Sequence, residues 1–116
     1  MEYKVAIFAF NGEPICFVHA LLNVLDMQTK GYDVKLIIEG SATRLVQHFQ
    51  DTTVPFADLY TTVKQAGLID CVCRACAAKM GALEAAEAQQ LPLCRDMSGH
   101  PSMAAYLEQG YQIITV

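Results

Sequence analysis

Residues 4–10 form a nearly continuous apolar run, KVAIFAF, and this run constrains the fold more than any other feature of the sequence. A strand with one face in solvent alternates apolar and polar side chains, whereas an unbroken apolar run is typical of a strand that is covered on both faces. Such strands occur in parallel sheets with helices on either side. The run ends at residues 11–14, where Pro14 is suited to the first position of a helix. The N-terminal segment therefore predicts a buried parallel strand followed by a helix.

The rest of the chain repeats this alternation of strand and helix. Further strands are predicted at residues 33–39, 68–73, 91–94 and 111–116. Helices are predicted at residues 14–30, 42–50, 56–66, 75–80, 83–90 and 103–109. We therefore expect a single α/β domain over residues 1–116, folded as a three-layer α/β/α sandwich around a mostly parallel sheet of about five strands with right-handed crossovers.

Charge and hydropathy exclude two classes of partner. The formal net charge is -4, and the few Lys and Arg residues do not cluster, which argues against a nucleic-acid surface. The N-terminus leads straight into a strand without the apolar segment of a signal peptide, and no apolar stretch reaches the ~18 residues of a membrane span. We expect a cytoplasmic protein with no nucleic-acid and no membrane partner.

The cysteine count is consistent with this location. Five cysteines is an odd number, so not all of them can pair within the chain, and the reducing cytosol would keep structural pairs open. Cys71 lies on the same strand face as Cys73 but one step deeper, and Cys16 lies on an apolar helix. We interpret Cys71 and Cys16 as small hydrophobic residues of the core.

Cys73 and Cys76 lie at the junction between a predicted strand and a predicted helix. The free N–H groups and the positive end of the dipole at a helix N-terminus favour a thiolate over a thiol, and Arg74 and Lys79 add positive charge. We therefore predict thiol chemistry, with Cys73 as the nucleophile and Cys76 as a resolving thiol. A thioredoxin relative is disfavoured, because its motif follows the first strand of the domain and this one follows the third.

Two other interpretations of the cysteine pair stay open. A metal site would need Cys94 or His100 as a further ligand, but the second half of the chain has no C-x-x-C or H-x-x-H partner at zinc-finger spacing. Alternatively, both cysteines fill the core. We predict no metal and no cofactor.

The carboxyl ends of parallel strands form the edge of a sheet at which ligands bind. We expect the loops after the first two strands to approach Cys73 across a crevice opened by connecting helices on opposite faces. Their backbone N–H groups are then placed to bind an anion. The predicted substrate-binding residues are Asn11, Gly12, Gly40, Ser41 and Arg74. His100 falls on the same edge, where it is placed to stabilise a thiolate or orient a substrate, or to form a local hydrogen bond in its loop.

The first helix is more apolar than one packing face requires. Its polar residues form a single narrow stripe of His19, Asn23, Asp26 and Lys30. A helix on the outer layer of a monomer needs an apolar arc of only about 100°. The surplus indicates either a subunit interface or coverage by another helix of the same chain. His19 and His48 are interpreted as solvated helix positions.

The chain resembles the DsrE/DsrF-like family of small sulfur-relay proteins. The resemblance rests on the first strand and its long helix, a Gly31-x-x-Val34 entry to the second strand, the third strand ending at Cys73, the segment CRACAAKMG at residues 73–81, and the last helix, glycine and strand at residues 107–116. It implies that Cys73 carries sulfur as a persulfide, with Cys76 as a second cysteine present in only some relatives. It also implies trimers or hexamers, with sulfur donor and acceptor proteins as partners.

The sequence therefore predicts a cytoplasmic sulfur carrier or sulfurtransferase-like protein with Cys73, Cys76 and His100 at its centre. The alternatives are a non-catalytic homo-oligomeric binding or scaffold module and a small dithiol redox protein.

Overall fold

The computed structural model describes residues 2–116 and contains every element that the sequence predicts. The strands are β1 (Lys4–Ala9), β2 (Asp33–Ile38), β3 (Ile69–Cys73), β4 (Leu93–Cys94) and β5 (Gln112–Thr115). The helices are α1 (Pro14–Thr29), α2 (Arg44–His48), α3 (Ala57–Gln65), α4 (Arg74–Lys79), α5 (Leu83–Ala88) and α6 (Met103–Glu108). The helix predicted at residues 42–50 is divided between a 3-10 turn at Gly40–Thr43 and α2.

The five strands form one parallel sheet in the order β4-β3-β2-β1-β5. From β1 to β4 the chain steps three times in the same direction, so right-handed crossovers place α1 to α5 on one face of the sheet. The return from β4 to β5 places α6 on the other face. The predicted three-layer α/β/α sandwich is confirmed. The expected crevice between helices on opposite faces is wrong, because β1, β2 and β3 are consecutive neighbours and their helices share a face.

Two hydrophobic cores lie on the two faces of the sheet. The larger core joins α1 to α5 to the sheet, with Leu21 and Tyr60 among its fully buried side chains. The smaller core lies under α6 and consists of Ala6, Phe8, Ile37, Cys71, Cys94, Tyr106 and Tyr111. In this smaller core the Tyr106 hydroxyl donates to the Asp70 carboxylate at 2.5 Å, which ties α6 to β3.

Cys71 and Cys94 form a disulfide between β3 and β4. Their Cα atoms are 5.6 Å apart, within the usual range for a disulfide, and both residues are buried. The prediction that Cys71 is only a small hydrophobic residue is therefore wrong, as is the expectation that no pair closes. The strand order explains the difference, because it places the two-residue strand β4 beside β3. Cys16 is free and half-buried.

Helix α1 keeps part of its apolar surface in solvent. Its buried side is formed by Phe17, Val18, Ala20, Leu21 and Val24. Ile15 and Leu22 lie outside this side and are 68% and 50% exposed. Another helix of the same chain therefore does not cover them. His19 and His48 are exposed, as predicted. Within residues 2–116, none of the helices combines the length and apolarity that a membrane span requires.

Candidate functional site

The junction of β3 and α4 fixes the position of Cys73. Cys73 is the last residue of β3 and the N-cap of α4, and its Sγ accepts a hydrogen bond of 3.4 Å from the backbone N–H of Cys76. The side chain of Cys73 is fully buried, with 0% exposure, whereas Cys76 is half-buried. The sequence thus predicted the strand-to-helix junction correctly.

A tight turn at residues 97–100 brings His100 to the cysteines. Met97 and His100 exchange two backbone hydrogen bonds of 2.8 and 2.9 Å, and the central residues Ser98 and Gly99 have φ of 50° and 90°. Positive φ at both central residues is the geometry of a type I′ turn, for which glycine is well suited. The Gly99 carbonyl also accepts from the Ala75 N–H at 3.0 Å. The turn is therefore attached to the start of α4, next to Cys73.

His100 lies between the two thiols. Its Nδ1 is 3.1 Å from Cys73 Sγ and 3.7 Å from Cys76 Sγ. The Gly99 carbonyl oxygen lies 3.7 Å from Cys73 Sγ. In the tautomer that carries its proton on Nε2, the His100 ring can accept the Cys73 thiol proton at Nδ1. Three residues that the sequence predicted as catalytic are thus brought together.

Glu39 lies beside His100 at the carboxyl end of β2. Its Oε1 is 3.9 Å from His100 Nδ1, and its side chain is only 12% exposed. Burial raises the pKa of the Glu39 carboxyl group, while the nearby His100 acts in the opposite direction. Glu39 is therefore placed to form an ion pair with His100 when the imidazole is protonated.

The electrostatic environment of Cys73 differs from the prediction. Burial raises the pKa of the Cys73 thiol from its ordinary value of 9.0 to about 12, and the neighbouring Cys76 and Glu39 add to the rise. The Cys76 N–H lowers this pKa but does not outweigh burial. The expected stabilisation of a thiolate by α4 is therefore wrong in direction, because a fully buried sulfur at the start of a six-residue helix loses more hydration than one N–H restores. Deprotonation of the Cys73 thiol therefore depends on a proton acceptor next to its sulfur.

The predicted substrate-binding residues after β1 and β2 lie together, but their known contacts are with one another. The Gly12 N–H donates to Ser41 Oγ at 2.9 Å, and Ser41 Oγ donates to the Phe10 carbonyl at 3.1 Å. A Cβ at Gly12 would lie 2.7 Å from the Ser41 carbonyl oxygen, so only glycine fits there. Asn11 accepts from the Glu13 N–H. The turn that begins with Gly40 packs on β3 and α4, so this group borders the cysteine site, and its role in binding an anion stays a prediction.

The positive charges of Arg74 and Lys79 do not lie at the centre of the cysteine site, contrary to the prediction. Arg74 is the first residue of α4 and is exposed, and Lys79 lies in the last turn, at the opposite end of the helix from Cys73.

A separate cavity lined by Gln47, Gln50 and Glu84 contains none of the cysteines.

The sequence did not single out Glu39 or Gly99 as parts of the site, and it named Cys94 as a candidate metal ligand rather than as a disulfide partner. Ser98-Gly99 carried a usable signal, since this dipeptide marks a turn. Glu39 could have been found from its place at the end of a buried strand. The pairing of Cys94 had no local signal, because it depends on which strands are neighbours.

The chain has relatives among known proteins. A family model described as the DsrE/DsrF-like family matches residues 3–116. An uncharacterized protein from Methanocaldococcus jannaschii is 33% identical over 97 residues, which cover 84% of this chain and 77% of that protein. An uncharacterized protein from Archaeoglobus fulgidus is 49% identical over 43 residues, covering 37% of this chain and 70% of that protein.

A solved structure shares the fold. It is the structure of a conserved protein of unknown function from Bacteroides thetaiotaomicron, with a TM-score of 0.71, covering 97% of this chain and 94% of that one. At 18% identity this likeness concerns the fold alone. The family match extends over essentially the whole chain. The chain therefore belongs to the DsrE/DsrF-like family.

Proposed function

We propose that this protein is a sulfur carrier of the sulfurtransferase type, in which Cys73 holds sulfur as a persulfide. The observation that carries the proposal is the 3.1 Å separation of Cys73 Sγ and His100 Nδ1 at the end of β3. A nucleophile within hydrogen-bond reach of a base is the arrangement that covalent catalysis requires. Family membership supports the same chemistry.

Loading needs a donor persulfide and a proton acceptor. His100 Nδ1 takes the proton of the Cys73 thiol, and the resulting thiolate attacks the outer sulfur of the donor. A new S–S bond forms on Cys73, the S–S bond of the donor breaks, and the donor leaves as a thiolate that takes up a proton. Because the pKa of the Cys73 thiol is raised, loading of Cys73 depends on a base such as His100 more strongly than loading of an exposed cysteine would.

Unloading can use Cys76. Its thiolate attacks the inner sulfur of the Cys73 persulfide, which gives a Cys73–Cys76 disulfide and releases hydrosulfide. An external dithiol then reduces the disulfide. Cys76 Sγ lies 3.7 Å from His100 Nδ1, so the same imidazole is placed to remove the Cys76 proton. Where an acceptor protein is present, its thiol takes the outer sulfur instead and Cys76 is not consumed.

Mass spectrometry tests the proposal. Protein with the Cys71–Cys94 disulfide intact is incubated with inorganic polysulfide in the C16S background, where Cys73 and Cys76 are the remaining free thiols, and its intact mass is measured under native conditions. We expect one added sulfur atom on C16S/C76S and none on C16S/C73S. With both thiols present, attack by Cys76 should leave the Cys73–Cys76 disulfide, which is two hydrogens lighter than the dithiol. No added sulfur on C16S/C76S, or sulfur retained on C16S/C73S, contradicts the proposal.

One observation favours a second candidate, a non-catalytic binding or scaffold module. Cys73 is 0% exposed, as expected of a packing residue. This alternative predicts that polysulfide leaves Cys73 unmodified in the folded protein, whereas the unfolded chain is modified at every free cysteine.

The same proposal includes location and assembly. We place the protein in the cytoplasm, where free thiols such as Cys73 and Cys76 persist and where burial shields the Cys71–Cys94 disulfide. We propose that it acts as a homo-oligomer, a trimer or hexamer, with separate donor and acceptor proteins. Cell fractionation and light scattering test these two points.

A further inference from the structure

Three donor atoms of the kind that bind thiophilic metals converge at the β3–α4 junction. The sulfurs of Cys73 and Cys76 and the Nδ1 of His100 all lie within 4.8 Å of one another. The two sulfur–nitrogen distances are 3.1 and 3.7 Å. Cys73 is buried and the other two residues are half-buried, so the group opens to solvent on one side.

The sulfur–nitrogen separations are close to those around a tetrahedral ion. With Zn–S bonds of about 2.3 Å and a Zn–N bond of about 2.0 Å, tetrahedral angles separate the donor atoms by roughly 3.5 to 3.8 Å. The two sulfur–nitrogen distances therefore need adjustments of only a few tenths of an ångström, and the two sulfurs, which lie within 4.8 Å of each other, move to about 3.8 Å as the ion binds. Two thiolates and an imidazole are also the donor set that zinc prefers.

We propose that Cys73, Cys76 and His100 form a binding site for a thiophilic divalent metal ion, with Zn²⁺ as the natural occupant. Each thiol loses its proton to solvent as its sulfur binds the ion, and neutral His100 binds through Nδ1. Within residues 2–116 these three side chains form the group, which leaves the fourth tetrahedral position to water or to a small anionic ligand such as a thiolate.

The sequence predicted no metal, because spacing alone offered no second pair of ligands. The fold supplies the third ligand differently, through the 97–100 turn. Its Gly99 carbonyl is bonded to the Ala75 N–H at 3.0 Å, which fixes His100 over the start of α4. Glu39, 3.9 Å from Nδ1, adds a negative charge beside the cation. The proposal is independent of the sulfur-carrier function, although the two uses of Cys73 exclude each other in time.

Cobalt and zinc titrations of protein with Cys73 and Cys76 as free thiols and the Cys71–Cys94 disulfide intact test the site. We expect Co²⁺ to produce a thiolate-to-metal charge-transfer band and the visible absorption of a tetrahedral ion, saturating at one ion per chain, and Zn²⁺ to displace it. C73S, C76S and H100N should each weaken Co²⁺ binding at least tenfold. C16S, which removes the free thiol outside the site, should bind like the wild type. Circular dichroism without metal shows whether each variant is folded.

The results distinguish the metal site from the sulfur-carrier function. Absence of a tetrahedral spectrum in the wild type overturns the proposal, as does undiminished binding by folded H100N or equal loss in C16S. If C73S fails to fold, C76S and H100N decide the question. Sulfur loading of Cys73 without metal binding overturns the metal site alone, and metal binding without sulfur loading overturns the sulfur-carrier function alone.

Discussion

Cys73 and Cys94 are register partners on neighbouring parallel strands, yet the sulfur of Cys94 is bonded to Cys71. The disulfide therefore runs diagonally between β3 and β4 and leaves Cys73 as a free thiol beside it. Of these three neighbouring cysteines, Cys71 and Cys94 thus form a structural crosslink, whereas Cys73 keeps a free thiol.

The disulfide should stabilise the fold. It closes a loop with a sequence separation of 23 residues. On a chain-entropy estimate such a crosslink contributes about 3 kcal/mol by restricting the unfolded chain. We expect the Cys71→Ala/Cys94→Ala double variant to lose about this much free energy of unfolding in urea, with C16S unchanged.

A thiol count checks the pairing directly. The denatured but unreduced chain should show three reactive thiols, and the reduced chain should show five. Five thiols before reduction would remove the basis of the stability prediction.

The raised pKa of Cys73 predicts slow and strongly pH-dependent alkylation. With a pKa of about 12, the thiolate fraction at pH 8 is roughly one in ten thousand. We expect the alkylation rate of Cys73 in C16S/C76S protein to rise about tenfold per pH unit between pH 7 and 9, without a plateau. Iodoacetamide labelling followed by mass spectrometry measures it. A plateau below pH 9 would show a thiolate stabilised by its surroundings.

The raised pKa of Cys73 also makes the free energy of unfolding depend on pH. The folded chain holds the Cys73 proton more tightly than the unfolded chain, whose thiol has an ordinary pKa of 9.0. The contribution of Cys73 to the free energy of unfolding is therefore full below pH 9 and is lost as the pH rises toward 12. C73S should show a weaker decline over this range, measured by urea unfolding at each pH.

Gly99→Ala should damage the site beyond its effect on stability. Gly99 has φ of +90°, and an added Cβ would lie 3.0 Å from the Ala75 Cβ. The strained backbone costs about 1 to 3 kcal/mol, and the close contact moves the turn that carries His100. We expect lower stability together with loss of sulfur loading at Cys73.

Gly110→Ala is the matched control for this prediction. Gly110 has φ of +91°, but its nearest neighbours are Lys4 side-chain atoms 3.9 Å from the added Cβ. It should lose comparable stability and keep normal loading. Equal loss of loading in both variants would show that the turn has no specific role.

The exposed apolar residues of α1 predict self-association through this helix. Ile15 and Leu22 are seven positions apart, so both lie on one side of the helix, outside its buried side. Light scattering at micromolar concentration should show a trimer or a multiple of it. Ile15→Glu/Leu22→Glu should shift the protein toward monomers, because the charges would be buried at the interface.

Leu107→Glu tests whether self-association is specific to the exposed side of α1. Leu107 is exposed on α6, on the other side of the sheet, so its substitution should leave the assembly intact. A wild-type monomer, or dissociation by the α6 variant alone, contradicts an interface at α1.

The parts of the fold that could be predicted are those with local signals. The apolar run of residues 4–10 identified a strand buried on both faces, and Pro14 marked the start of α1. The strand-to-helix junction at Cys73 was likewise correct. The contacts that were missed are between segments distant in sequence. Cys71 meets Cys94 only because β4 adjoins β3, and Glu39 meets His100 only because the 97–100 turn folds back over α4. Burial of Cys73, which reverses the expected direction of its pKa, depends on the same neighbours.

The uneven coverage of the sheet predicts where the fold opens first. Among the described residues, α6 is the one helix on the face that carries Cys71 and Cys94, and its six residues are too few to stay helical without tertiary contacts. Local unfolding of α6 would therefore uncover the Cys71–Cys94 disulfide while α1 to α5 stay packed. In native-state hydrogen exchange, the amides of α6 should open at a lower free energy than those of β1, so a reductant gains access to this disulfide without global unfolding.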